Sequence, residues 1–112
     1  MDVRNVIDAR RFSPEKIARI SLFESERMFC DVWGLSPGQE QKPVAHEECD
    51  TLYFVAEGCG RFAVGGEVRS VGEGNIVRVP AGTEHSVQNG GAGNLTLLVL
   101  AAPHPIYVSR RA

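Results

Sequence analysis

The sequence predicts an all-β fold, a small antiparallel sandwich or barrel, and three observations lead there. Glycine occurs 12 times and proline 6 times in 112 residues, so turns are frequent and long helices have little room. Short runs rich in β-branched and aromatic residues recur along the chain from Ile20 to Leu100, each closed by a turn signal. Between two of these runs stands Gly65-Gly66, a pair suited to a tight hairpin because both residues can take positive φ.

Each element follows in order. Ser13-Pro14-Glu15-Lys16 is read as one helical turn, with Ser13 as N-cap and Pro14 in the first helical position. Ile20 to Phe23 and Arg27 to Leu35 are strands separated by a polar turn, and Ser36-Pro37-Gly38 ends the second. Lys42 to His46 is a short strand leading into the acidic loop Glu47-Glu48-Cys49-Asp50. Leu52 to Ala56, Arg61 to Val64, Glu67 to Val71, Ile76 to Val79, His85 to Asn89 and Leu95 to Leu100 complete the set.

Size and charge exclude several functions. A chain of 112 residues, 43% of them hydrophobic, fits one modest core. The net charge of −2 carries no basic stripe, so no nucleic-acid partner is expected. The longest apolar run, Leu95 to Ala102, is interrupted by Thr96 and is too short to span a bilayer. The first residues lack an apolar signal core, and the expected location is the cytoplasm. Three cysteines without a close pair suggest neither a disulfide framework nor a cysteine zinc site.

Two segments carry a family resemblance. Gly74, Pro80, Gly82, His85 and Asn89 satisfy every position of the second cupin motif: Gly, five residues, Pro, any residue, Gly, two residues, His, three residues, Asn. The first motif matches in part, with Gly38 at its start, His46 at its second histidine and Gly58 at its closing glycine. Val44 stands where its first histidine belongs, and Thr51 where its glutamate belongs. From about Leu35 to Leu100 the chain therefore resembles the small single-domain cupins. The resemblance implies a double-stranded β-helix, or jelly-roll barrel, with an irregular N-terminal segment. The implied layout is residues 1–34 as that segment with edge strands, 35–102 as the barrel and 103–112 as a C-terminal tail.

In cupins three histidines and a glutamate usually hold a divalent metal inside the barrel, and this chain keeps His46 and His85 of that set. Strand residues two apart share a face, so Val44 and His46 can point inward together, as can Thr51, Tyr53 and Val55, and also His85, Val87 and Asn89. A third metal ligand could come from Asp50, beside the expected glutamate position, if the strand starts after it or carries a bulge. Zinc, nickel, manganese or iron, or no metal at all, are the cofactors this leaves open. The plainer reading makes the two histidines ordinary pocket residues, Glu47, Glu48 and Asp50 a solvated loop, and Cys30, Cys49 and Cys59 inert thiols.

Val44, Thr51, Tyr53, Val55, Val87 and Asn89 are thus the expected ligand pocket, and the expected function is binding of a small molecule within the barrel. The alternative is a metal-dependent oxygenase or isomerase acting on a small polar substrate, in which Tyr53 or a loop carboxylate handles protons. No catalytic role is expected for His104 in the tail. A homodimer is expected on the assumption that some of Ile20, Leu22, Met28, Phe29 and Trp33 form an apolar surface patch.

Overall fold

A computed structural model describes residues 1–106. One short helix, α1 (Val6–Ala9), precedes the strands β1 (Ala18–Ser25), β2 (Met28–Leu35), β3 (Glu40–Val44), β4 (Asp50–Glu57), β5 (Cys59–Val64), β6 (Glu67–Gly72), β7 (Ile76–Val79), β8 (His85–Gln88) and β9 (Leu95–Ala102). They form two antiparallel sheets, one in the order β1-β2-β9-β4-β7 and the other β3-β8-β5-β6. This is the double-sheet jelly roll that the strand spacing and the second motif predict.

The core follows from alternation. Thr51, Tyr53 and Val55 are buried on β4 while their neighbours are more exposed, and His85 and Val87 repeat the pattern on β8. Trp33, Leu35, Tyr53, Val55, Phe62, Val87, Leu95, Leu97 and Val99 meet between the sheets. The β5–β6 hairpin turns at Gly65 and Gly66, whose φ angles of 57° and 90° are open to glycine at little cost.

The N-terminal segment differs from expectation. No helix forms at Ser13; its hydroxyl accepts from the Glu15 amide at 3.3 Å, within a bend. The Ser13 carbonyl instead takes hydrogen bonds from Ser36 Oγ (3.1 Å) and Gln39 Nε2 (2.7 Å), which tie the segment to the β2–β3 turn. The helical turn lies earlier, capped by Asn5, whose side chain accepts from the Asp8 amide at 2.9 Å.

The segment also removes the expected surface patch. Leu22, Cys30 and Val32 are buried on the outer face of the five-stranded sheet, with Ile20, Met28, and Val6 and Ala9 of α1 packed against them. Trp33 belongs to the inner core, and Phe29 packs against it. The chain crosses this outer face so closely that a Cβ at Gly34 would collide with the Arg11 carbonyl. Among the described residues no helix is long and apolar enough to cross a membrane.

Candidate functional site

The site lies at one end of the sandwich, where β4 and β8 begin and β3 ends. Tyr53 reaches from the middle of the larger sheet to the smaller one. Its hydroxyl donates to Gln41 Oε1 at 3.2 Å and lies 3.1 Å from His85 Nε2. The ring packs edge-on against Trp33, Phe62 and His85, with centroids 5.8, 5.6 and 5.8 Å away. Burial pushes the phenol well above its usual range, only partly countered by the Gln41 bond. Tyr53 is therefore a fixed hydrogen-bonding group at neutral pH, not a base.

Gln41 arrives there through a bulge. It pairs with Val87, and Val44 pairs with His85, so the register shifts between positions 41 and 44. That extra residue lets positions three apart both face inward. Pro43, which cannot donate to a ladder, occupies the irregularity.

His85 is held on both sides. Its Nδ1 lies 2.9 Å from the Thr83 carbonyl, which can only accept, so Nδ1 carries a proton. With Nδ1 engaged there, Nε2 faces the Tyr53 hydroxyl. One phenol proton lies between two neighbours here, and the Gln41 amide can turn to donate to the phenol oxygen instead.

His46 is held differently. Its carbonyl accepts from the Gly82 amide at 2.9 Å, yet its ring nitrogens make no hydrogen bond among the described residues. The ring is half-buried and tilted toward His85, with centroids 6.0 Å apart. Burial, then the charge of His85, lowers its pKa below the ordinary value. At neutral pH His46 presents an uncharged imidazole with unused hydrogen-bonding capacity. The two histidines thus approach each other, as shared inward parity predicts.

The other residues expected in the pocket divide. Thr51 is buried at the same end, and Val44 lies directly opposite His85 in the sheet. Val55 and Val87 lie in the apolar core. Asn89 is structural: its Nδ2 donates to the carbonyls of Leu35 (2.8 Å) and Gly93 (2.9 Å), and its Oδ1 accepts from the Gly91 amide (3.1 Å). It closes the opposite end of the sandwich and has no role at the histidines.

Asp50 does not join the histidines. It opens β4 with the parity opposite to Thr51, is exposed, and accepts from the Ala81 amide at 2.9 Å. The alternation that buries Thr51 turns Asp50 outward. Glu47 and Glu48 are exposed in the adjoining loop. Cys49 is buried, and burial raises its thiol pKa despite a hydrogen bond to Thr51, which makes it a poor nucleophile. His104 is also buried: Nε2 is 2.6 Å from Glu24 Oε2, and Nδ1 accepts from the Ile106 amide at 3.2 Å.

These donors do not fit a resident metal. Among the described residues no three His, Cys, Asp or Glu side chains come together in a way that could hold an ion. Two imidazoles alone fall short of the three protein ligands that an open zinc site normally keeps. Sequence reasoning missed Gln41 and the Thr83 carbonyl; Pro43 inside a strand was the available sign of the bulge that brings Gln41 inward.

Fold and site together define a class: a small jelly roll with a polar, histidine-bearing constellation at one end. The sequence profile of the cupin domain family matches residues 31–101, and the chain belongs to that family. An uncharacterised protein of Streptomyces coelicolor is 31% identical over 88 residues, covering 77% of this chain and 81% of that protein. A solved structure from Thermus thermophilus is 40% identical with a TM-score of 0.89, over 92% of this chain and 98% of that one. A conserved Klebsiella pneumoniae protein with a double-stranded β-helix domain shares the fold at 24% identity and a TM-score of 0.84, over 90% and 89% of the two chains.

Proposed function

We propose that this cupin binds a small polar molecule at the end of the barrel that carries His46, His85 and Tyr53, without a resident metal. The observation behind this is the unequal bonding of the two imidazoles. His85 is braced by Thr83 and Tyr53, while His46 stands 6.0 Å away with its ring nitrogens unbonded among the described residues. A neutral imidazole offers one donor and one acceptor, so a hydroxyl- or carbonyl-bearing ligand would satisfy His46.

Metal analysis of protein purified without a histidine tag tests this together with a ligand screen by amide NMR. The expected result is folded protein with well under one metal per chain, and ligand shifts at His46, Thr51 and His85 that disappear in His46→Ala. A stoichiometric first-row metal would overturn it.

One observation favours a second reading, a metal-dependent oxygenase or isomerase. The Nδ1–H bond from His85 to the Thr83 carbonyl is the brace that metal-ligating histidines usually have on their outer nitrogen. In that reading the substrate itself would have to supply the donors that Val44 and Thr51 lack. The same metal analysis separates the two readings.

A further inference from the structure

The two sheets part along one side. β6 ends the smaller sheet and β7 ends the larger one, and between these edges lies a cleft of about 330 Å³. That size sits at the low end of small-molecule pockets, roughly 300–1,000 Å³. Phe62, Val64, Val71 and Val77 line it, all part of or packed against the core.

The rim is charged. Arg69 and Arg78 border the cleft from β6 and β7, and both are exposed. Neither makes an ion pair or a side-chain hydrogen bond among the described residues. Glu67 lies on the same face of β6 as Arg69, two positions away, and also borders the cleft. Two cations against one carboxylate leave the rim with one positive charge. Ile76, 60% exposed, adds apolar surface beside it.

We infer that this side cleft is a second binding site, for a small monocarboxylate with an apolar body. The Arg69 guanidinium, on the inward face of β6 opposite Phe62, takes the carboxylate as a planar donor suited to that geometry, and Arg78, which alternates with inward Val77, reaches it over the edge of β7. The apolar body covers Phe62, Val71 and Val77, which carry no competing polar groups. Glu67 disfavours a second negative charge, so a dianion binds less well than a monoanion. The site is separate from the histidines but adjoins them from behind. Phe62 packs edge-on to Tyr53 at 5.6 Å, and Val64 is the sheet partner of His85.

The test is amide NMR titration of the full chain with phenylacetate, hexanoate, phenylacetamide and inorganic phosphate, up to the order of 10 mM, which detects even millimolar affinity. Saturable shifts are expected in β6 and β7 for both carboxylates, with at least tenfold weaker binding of phenylacetamide and of phosphate. Arg69→Gln with Arg78→Gln should weaken phenylacetate at least tenfold while leaving the remaining spectrum as in the wild type. Each single variant should weaken it less, and His46→Ala should leave it unchanged, which separates this cleft from the site proposed above. Equal binding of acid and amide would overturn the inference. So would unaltered affinity in the double arginine variant, shifts confined to the residues around His46, or no saturable shift with either carboxylate. Shifts in β6 and β7 that track protein concentration instead of ligand would mean that a second copy covers this face, and would also overturn it.

Discussion

The two ends of the sandwich use motif residues in opposite ways. At one end Asn89 places both polar atoms of its side chain in three short hydrogen bonds to backbone, joining β2, β8 and the loop before β9. At the other end His46 has no ring hydrogen bond among the described residues, and His85 shares Tyr53 with Gln41. Both Asn89 and His46 fall on motif positions, yet only His46 keeps capacity for something outside the chain. A motif residue whose bonds are complete reports on the fold, and one whose bonds are incomplete points to a ligand.

Breaking the satisfied end should have the largest effect on stability. Asn89→Ala leaves the Leu35 and Gly93 carbonyls and the Gly91 amide without their partner. The expected loss is about 2–4 kcal/mol, the cost of leaving several polar groups unpaired where the residue was buried. Thermal or urea unfolding measures it. A loss within 0.5 kcal/mol, taken as roughly the level of an ordinary surface change, would remove the contrast between the two ends.

The next effect sharpens the open end. Val44→His with Thr51→Glu would place an imidazole opposite His85 and a carboxylate on the inward face of β4. Zinc affinity should rise at least tenfold, about 1.4 kcal/mol, with smaller gains in each single variant. The double variant should also lose some stability without metal, because it buries a carboxylate where Thr51 now packs. Calorimetric titration with zinc, nickel and manganese reads the change. Equal affinity in wild type and double variant would mean that other groups already complete a site.

Tyr53→Phe comes third. It removes a buried hydroxyl between Gln41 and His85 and keeps the ring contacts with Trp33 and Phe62. The expected cost is about 1 kcal/mol, one net hydrogen bond. A gain in stability on denaturant unfolding would contradict the role given to the hydroxyl.

The smallest effect belongs to His46. His46→Ala should change stability at neutral pH by no more than about 0.5 kcal/mol, since the ring has no hydrogen bond to lose among the described residues. Its pH signature is more telling. The folded state holds the His46 pKa below its free value, so on acidification the unfolded chain takes the proton first. The stability concerned is complete above about pH 6.5 and declines as pH falls below it, toward the folded pKa. Unfolding midpoints from about pH 7.5 to about pH 5, a range that brackets the free histidine pKa, should therefore fall less steeply in His46→Ala than in the wild type. Identical slopes would show that the half-buried ring is as well solvated as a free histidine.

Much of the fold was legible because β-structure writes itself in a period of two. The inward parity of Thr51, Tyr53 and Val55, and of His85, Val87 and Asn89, needs only the sequence and the pleat. The Gly65-Gly66 turn likewise follows from the φ angles that glycine alone takes cheaply. The N-terminal segment was not legible. A four-residue helix has no periodicity to read, and Ser13-Pro14 has the form of a helix start without the tertiary setting to become one. The covering of Leu22 and Val32 by α1 depends on where the chain returns in space, which no local pattern encodes.

The sequence alone determined the family, the two sheets and the inward positions, because these rest on strand periodicity, turn stereochemistry and motif spacing. Only the tertiary structure decided what the inward positions do. It turned Asp50 out to the Ala81 amide, brought Gln41 in through the bulge at Pro43, and drew Asn89 away from the pocket into the backbone. It also set His46 and His85 side by side and opened the arginine-rimmed cleft between β6 and β7. Such outcomes rest on which hydrogen-bond partner lies within about 3 Å, and that distance is fixed by strands far apart in the chain.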